Sequence, residues 1–438
     1  MVKVITYGTF DLFHQGHYNL LKRAKALGDY LIVGVTSDYF NKCRGKFNVQ
    51  EDLMTRIRHV EESGFADEIV VEEYFGQKID DIKKYKADIF TVGSDWIGHF
   101  DYLNEYCRVE YLERTKGISS TKLRNSNALR LGIIGNEQIL NRFISEMAFV
   151  SGVEVVGLVK SRDDLGCHDI PVFDSEEILL KNVDAVYINA PLRERPKAML
   201  RAIEKGKHVL TEFPFCPNYA LAQKIVMAAR EKGIVLMEGL KTAYCPSFSK
   251  MVSLVRSGLI GQLLSVDARF TQVQGEHMHE EVRLSGGSIR ALAAYPILAF
   301  IKLIGTDYKS VSRYSHMESG VDVFSKFQLS FPNAIASGTI AINAKAEGNL
   351  VITGTKGYVY VPAPWWKTEF FELRYEDINK NTKYFYKFDG EGLRYEIVEF
   401  VRSIRENGVE NPFFTTADML EESRLIDYLE HMDGVCYF

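Results

Sequence analysis

Residues 7–21 read YGTFDLFHQGHYNLL, a strand end, a turn and a helix start in immediate succession. The residues before them, MVKVIT, supply the β-branched run of a strand that ends at Gly8-Thr9-Phe10. A helix begins near Gly16-His17, with Leu20, Leu21, Ala24 and Leu27 on its apolar stripe. A strand feeding a helix in this way opens a mostly parallel α/β sheet. Between the two lie His14 and His17 in an H-x-G-H spacing. Gly8 and Gly16 remove side chains where backbone could approach a polyphosphate, and the helix start offers N–H donors and a positive dipole end. Two imidazoles beside such an anion site can donate hydrogen bonds to phosphoryl oxygens and to a departing pyrophosphate, with no covalent intermediate.

Working outward, strands are expected at 30–36, 68–72 and 88–93 with helices between them. The polar RNSNAL at 124–129 breaks the pattern, and alternation restarts with LRLGIIG, so a boundary falls near Ser126. Strands near 130–134, 153–159, 185–189, 208–211 and 234–238 make a second doubly wound Rossmann unit. From about Pro246 the pattern changes to a helix in SFSKMVSLVRSG, a long strand in LLSVDARFTQV, a helix across 287–304 and alternating strands between 321 and 388. Helices near 392–406 and 415–432 close the chain. That is an α+β domain with a large, mostly antiparallel sheet. The expected domains are therefore 1–126, 127–245 and 246–438, all in the α/β class.

The chain has 438 residues, 46% hydrophobic and 25% charged, which excludes disorder and low complexity as global descriptions. Lys+Arg total 53 against Asp+Glu 58, a net charge of −5, so no overall positive field favours nucleic acid or a membrane surface. Six scattered cysteines (Cys43, Cys107, Cys167, Cys216, Cys245, Cys436) suit a reducing compartment. With no basic-then-apolar leader and no uncharged apolar run of ~18 residues, a cytoplasmic chain without membrane insertion is expected.

A second phosphate-binding pattern is RTKGISSTKLR at 114–124. Arg114 and Thr115 precede a turn at Gly117-Ile118, and Ser119, Ser120 and Thr121 can cap a short helix, so hydroxyls, amides and cations again converge. These segments resemble the nucleotidyltransferase superfamily, with its G-T-F-D-x-x-H-x-G-H and R-T-x-G-I-S-[ST]-T motifs. Within it they are most similar to the glycerol-3-phosphate cytidylyltransferases. The resemblance covers essentially all of 1–126, including LGDYLIVGVTSDYFN, the basic loop around Lys46 and GSDWIGHFDYL at 93–103.

It implies a Rossmann-like nucleotidyltransferase domain in which His14 and His17 stabilise the transition state, while Lys46 and Arg114 contact phosphate. Thr115, Gly117, Ile118, Ser119, Ser120 and Thr121 would hold the triphosphate; Gly8, Thr9, Phe10 and Gly16 would line the nucleotide; Asp11 would orient the site. The family's D-D-W reads Ser94-Asp95-Trp96 here, a departure at the base-recognition edge. A basic residue that the family carries on the helix after the Lys46 loop falls at Gly64, which weakens glycerol 3-phosphate as the acceptor. The implied substrates are CTP, with Mg²⁺ on its phosphates, and a polyol phosphate. The product would be a CDP-alditol for surface polysaccharide or teichoic-acid-like synthesis.

In the second half, RLGIIGNEQIL at 130–140 places Gly135 at the first glycine of G-x-G-x-x-G, with Glu137 and Leu140 at the other two. After the following strand stands Lys160-Ser161-Arg162, which suits a 2′-phosphate, so NADPH is favoured over NADH if a nicotinamide cofactor binds. A purely structural Rossmann domain remains open. The segments AVYINAPLRERPKAMLRAIEKGKHVLTEFPF, GGSIRALAAYPILAF and LVITGTKGYVYV resemble the Gfo/Idh/MocA oxidoreductases across about 130–438. That resemblance implies Gly135, Ser161, Arg162, Ala190 and Glu212 as cofactor contacts. The family's E-K-P reads Glu212-Phe213-Pro214, and its D-x-x-x-H reads Ala291 and Tyr295, where the tyrosine can still act as an acid.

No metal site is expected, since His277 and His279 in GEHMHEE lack a third ligand. QKIDDIKKYK reads as a solvated charged helix face, and Trp365-Trp366 as packing against the sheet or a partner subunit. Three readings follow: a cytidylyltransferase; a bifunctional enzyme whose second half reduces a keto-sugar phosphate to the alditol phosphate; and a cytidylyltransferase on a non-catalytic oligomerisation scaffold. A homo-oligomer is expected.

Overall fold

The computed structural model describes residues 1–113, 128–135, 139–159, 170–273, 286–408 and 410–438. The chain divides into two compact units, Met1–Ala128 with Phe149–Gly152, and Leu129–Ala148 with Val153–Phe438.

The first unit runs β1 (Lys3–Gly8), α1 (Gln15–Lys25), β2 (Tyr30–Thr36), α2 (Asp38–Cys43), α3 (Leu53–Glu62), β3 (Glu68–Glu72), α4 (Gln77–Tyr85), β4 (Ile89–Gly93) and β5 (Arg108–Leu112). All pairings are parallel, in the order β3-β2-β1-β4-β5. Strands covered on both faces read as continuous apolar runs, and β1 and β2 do so. Their Val4, Leu31, Val33 and Val35 pack with Leu21 and Ala24 of α1 into one core. The chain order reverses at β1, and the crevice of a doubly wound sheet lies at the carboxyl ends of the strands flanking that reversal.

The edge strand β5 was not among the expected strands, because RVEYL is short and charged. The charged stretch beginning at Gln77 also departs from the reading of a solvated face. Gln77, Ile79, Asp81 and Ile82 of α4 are buried, and Asp81 accepts a hydrogen bond of 2.8 Å from the Tyr7 hydroxyl.

The second unit begins with β6 (Leu129–Gly135), α5 (Leu140–Met147), β7 (Val153–Val159), α6 (Glu176–Asn182), β8 (Ala185–Asn189), α7 (Arg195–Glu204), β9 (His208–Glu212), α8 (Tyr219–Glu231) and β10 (Leu236–Gly239). These strands form a parallel sheet of order β10-β9-β8-β6-β7. There follow α9 (Pro246–Arg256), β11 (Leu263–Thr271), α10 (Gly287–Leu292), α11 (Ala294–Leu303), β12 (Ser310–Glu318), β13 (Val321–Ser330), β14 (Ile335–Ala341) and β15 (Leu350–Gly354). The rest is β16 (Tyr358–Val361), β17 (Phe370–Arg374), β18 (Thr382–Phe385), α12 (Leu393–Arg405), α13 (Thr416–His431) and β19 (Cys436–Tyr437).

Nine strands make the second sheet, which is antiparallel except where β11 pairs with β14 and β12 with β19. Two details differ from the sequence reading. The helix across 287–304 is two helices that meet at Ala293, and the polar SVSRYSHME forms β12. Trp365 is fully buried, its indole donating to the Arg269 carbonyl at 2.9 Å, and Trp366 stacks on Phe270 at 3.8 Å, so both pack against the sheet. No described helix is long and apolar enough to cross a membrane.

Candidate active sites

The carboxyl end of β1 turns through Thr9–Phe13 into α1, whose N-cap is His14. Histidine is an uncommon cap; here its Nδ1 accepts the Gly16 N–H at 3.0 Å, which puts the proton of the neutral ring on Nε2. The His17 ring lies parallel to it, with centroids 4.0 Å apart, and is flanked by Phe10 and Phe13 at 5.5 Å each. A Cβ at Gly8 would meet the Phe10 ring at 2.8 Å, and one at Gly16 would meet His14 at 2.8 Å. A side chain at either position would thus collide with the turn's own rings. Phe10 is 1% exposed and belongs to the core, so its ring does not line a nucleotide; its contribution is to anchor the turn.

Lys46 reaches the same turn, its ammonium donating to the Thr9 hydroxyl at 2.8 Å, while that hydroxyl donates to Asn41 Oδ1 at 3.1 Å. Asp11 is buried and accepts the N–H groups of Gln50 and Glu51 at 3.0 Å each. Beneath them lies a fully buried Arg56, donating to the carbonyls of Thr9 (2.7 Å), Thr36 (2.8 Å) and Glu51 (3.0 Å) and pairing with Asp38. Glu72 closes the neighbouring strand end. Burial alone would raise its carboxyl, but Lys78 and Arg44 override that and hold it at about 2. At the end of the adjacent β4, Asp95 is exposed and Trp96 packs on His99 and Phe100. Arg114, Thr115, Gly117, Ile118, Ser119, Ser120 and Thr121 lie outside the described residues.

In the second unit a cleft of about 150 Å³ opens at the carboxyl ends of β6, β7 and β8, lined by Ile134, Gly135, Val159, Ala190, Lys197 and Arg201 among others. Gly135 has φ +103°, and a Cβ there would fall 2.0 Å from the Asn189 carbonyl, so the strand ends could not approach with any other residue. Its place at the strand-order reversal fits a nicotinamide dinucleotide, and its rim carries Lys197 and Arg201 together with Glu194 and Glu176, the last paired with Arg201 at 2.7 and 2.8 Å. Ser161 and Arg162 lie outside the described residues, as do Glu137, His277 and His279.

Deeper in, the Glu212 carboxyl is bound by the Tyr187 hydroxyl, and burial raises it above the usual carboxylate range. Arg195 donates to the carbonyls of Ala190, Glu212, Phe213 and Pro214 at 2.7–3.1 Å and so holds the chain after β9. Phe213 meets Tyr295 edge to face at 5.1 Å, and burial raises the Tyr295 hydroxyl, keeping it protonated. Glu396 is wholly buried, and burial raises its carboxyl strongly. Lys241, in a short helical turn after β10, is lowered by burial and by Lys367 while Glu396, Glu391 and Glu212 act in the opposite sense.

Family models match in three consecutive segments. Residues 5–126 match the model described as cytidylyltransferase-like, 129–240 the oxidoreductase family with an NAD-binding Rossmann fold, and 248–360 the GFO/IDH/MocA C-terminal domain. Glycerol-3-phosphate cytidylyltransferase of Bacillus spizizenii is 50% identical over 128 residues, 29% of this chain and 98% of that protein. The family is thereby shown. The chain belongs to the glycerol-3-phosphate cytidylyltransferase family, fused to a Gfo/Idh/MocA oxidoreductase region.

The fused region is similar to the trans-1,2-dihydrobenzene-1,2-diol dehydrogenase of Bos taurus, 28% identical over 328 residues, 70% of this chain and 96% of that one. A solved 3-ketoreductase from Actinomadura kijaniata, in complex with NADP and TDP-benzene, superposes with a TM-score of 0.63 at 22% identity, covering 71% of this chain and all of that one. That likeness shows the fold.

For this cytidylyltransferase the structure gathers Gly8, Thr9, Phe10, Asp11, His14, Gly16, His17 and Lys46 around one turn, with Asp95 and Trp96 at the next strand end. In the oxidoreductase region Gly135 and Ala190 line the cleft, whereas the Glu212 carboxyl is turned to Tyr187. Sequence reasoning missed Asn41, Glu51 and Arg56 in the first unit, and Arg195, Lys241 and Glu396 in the second. An arginine inside an apolar helix pattern was a signal available for Arg56.

Proposed function

We propose that residues 1–126 transfer CMP from CTP, entering with Mg²⁺ on its phosphates, to a polyol phosphate, with glycerol 3-phosphate as first choice. The products are a CDP-alditol and pyrophosphate, and the pathway served is cell-surface polysaccharide or teichoic-acid-like synthesis. The observation that carries this is the parallel His14/His17 pair at the amino end of α1, with the Lys46 ammonium on the same turn.

The acceptor's phosphate oxygen attacks the α-phosphorus in line as the bond to pyrophosphate breaks. Imidazole N–H donors and the helix dipole offset charge growing on the phosphoryl and leaving oxygens, where preorganised donors are worth most. Lys46 exchanges its Thr9 contact for a phosphate oxygen. His14, His17, Lys46 and Arg114 are assigned to phosphate, with Thr115, Gly117, Ile118, Ser119, Ser120 and Thr121 as its further contacts. The test is CTP-dependent pyrophosphate release by the full chain against glycerol, erythritol, ribitol and other alditol phosphates. Turnover with none of them removes this reading.

A second reading, that the fused region makes the alditol phosphate from a keto-sugar phosphate, is favoured by the cleft beside Gly135. A reduced nicotinamide would supply hydride there. Lys197 would hold its phosphates, joined by Arg201 on release of its Glu176 partner, and Tyr295 or Lys241 would give a proton to the carbonyl oxygen. NADPH and NADH titrations of the full chain decide: saturable binding supports a reductase, and none supports a scaffold. We propose, too, that the chain forms a homo-oligomer in the cytoplasm.

A further inference from the structure

The turn that aims the two histidines is held in a costly shape. Phe10 has φ +55° and Leu12 φ +49°, both left-handed and neither glycine. Such residues cost ~1–2 kcal/mol each and persist only where their surroundings over-determine them. Core packing fixes Phe10. Leu12 is half-buried, and its N–H donates to Glu51 Oε2 at 2.8 Å.

The contact is reciprocated. Asp11, on the turn, accepts the N–H groups of Gln50 and Glu51, and Arg56 bridges the carbonyls of Thr9 and Glu51. A carboxylate from each segment thus receives amides of the other, and the second segment is the loop that begins with Lys46. Behind it, His59 Nδ1 stands 3.4 Å from the same Glu51 oxygen, and the His59 ring lies 6.0 Å from Phe13, itself in contact with His17.

We infer that Glu51 is a positioning residue for nucleotidyl transfer. By holding Leu12 left-handed it sets the angle at which His14 enters α1, and it ties that turn to the loop bearing Lys46. The inference rests on the reading of this turn as the transfer site. Because the bond is to a carboxylate, it is about twice as strong as one between neutral groups. Glycine carries no penalty at such a φ, which gives the inference a signature that a merely stabilising role lacks.

The test uses the full chain with Glu51→Ala, Glu51→Gln, Leu12→Gly and the double variant Glu51→Ala/Leu12→Gly. The expected result is a loss of about tenfold in kcat for Glu51→Ala with KM for CTP changed much less, as misaimed groups produce. Glu51→Gln, which keeps a carbonyl acceptor at the same reach, recovers most of the loss. The double variant is faster than Glu51→Ala alone. Wild-type kcat in Glu51→Ala overturns the inference, and so does a deficit that neither glutamine nor Leu12→Gly relieves.

The clamp can also be read without turnover. With ¹⁵N-leucine labelling, the peak lost in Leu12→Gly is the Leu12 amide. It is shifted downfield by its carboxylate in the wild type and moves upfield in Glu51→Ala. An unmoved peak overturns the clamp, whereas a moved peak with no turnover on any alditol phosphate faults the assigned reaction instead.

Discussion

The two carboxyl-edge sites handle buried charge in opposite ways. In the first unit the buried charges are met by ions or by aimed donors: Glu72 meets Lys78 and Arg44, Arg56 meets Asp38, and Asp11 and Asp81 accept backbone N–H groups and the Tyr7 hydroxyl, respectively. In the second, Glu212, Glu238, Glu396 and Glu422 are all buried, and burial raises each of them. Glu238 is pushed up to about 7, and its side chain meets that of Glu422, an arrangement that requires a proton between them. The difference teaches that one edge keeps its buried groups charged by pairing them, whereas the other pushes its carboxyls toward the protonated form.

The strongest way to break this contrast is Arg56→Leu. It strands the carbonyls of Thr9, Thr36 and Glu51, and a loss of about 3 kcal/mol from the first unit is expected. Trp96 is the sole tryptophan of that unit, so its fluorescence during urea unfolding reads the change. An unchanged midpoint would show that the arginine is dispensable.

Next comes His17→Ala, expected to slow CMP transfer by ~10² or more while the unfolding midpoint holds, because a donor to the transition state is gone. Wild-type turnover in that variant removes His17 from the mechanism.

The raised carboxyls give a smaller effect with a definite sign. Glu238 moves from 4.5 to about 7 on folding, so its contribution is complete below about 4.5 and is lost as pH rises through about 7. The contribution of this group to the second unit's stability is therefore expected to fall by about 1.4 kcal/mol between pH 6 and 7.5, after a loss of similar size between about pH 4.5 and 6. Glu422→Gln, which needs no shared proton, lessens the slope. Trp365 and Trp366 report this unit, and a flat wild-type profile contradicts the neutral pair.

Smallest is Gly64→Arg. A side chain there meets nothing within 4 Å, although φ +71° costs ~1 kcal/mol. A KM for glycerol 3-phosphate lowered by about threefold to tenfold would sharpen the acceptor's identity. No change would point to another polyol.

The paired histidines were legible because their partners are local: spacing, strand end and helix start all fall within one short run. The parallel sheets were legible for the same reason, each strand carrying its own periodicity. Arg56 and Glu51 were not, since their partners Thr9 and Leu12 are 47 and 39 positions away and only tertiary structure joins them. The inward turn of the Phe10 ring was not legible either, because a motif gives residue types without telling which rings face the core. Lys241 escaped notice because its charged neighbours Glu212, Lys367, Glu391 and Glu396 are scattered along the chain, and β12 because its exposed face leaves few apolar residues to count.

Arg195 has a consequence for how the second unit tolerates change. Its donors end on main-chain oxygens of residues 212–214, which every amino acid possesses. The path of that segment is consequently insulated from the identity of its side chains. A change of side chain at 213 leaves all three acceptors in place, so the grip on this corner of the chain does not depend on which residue stands there.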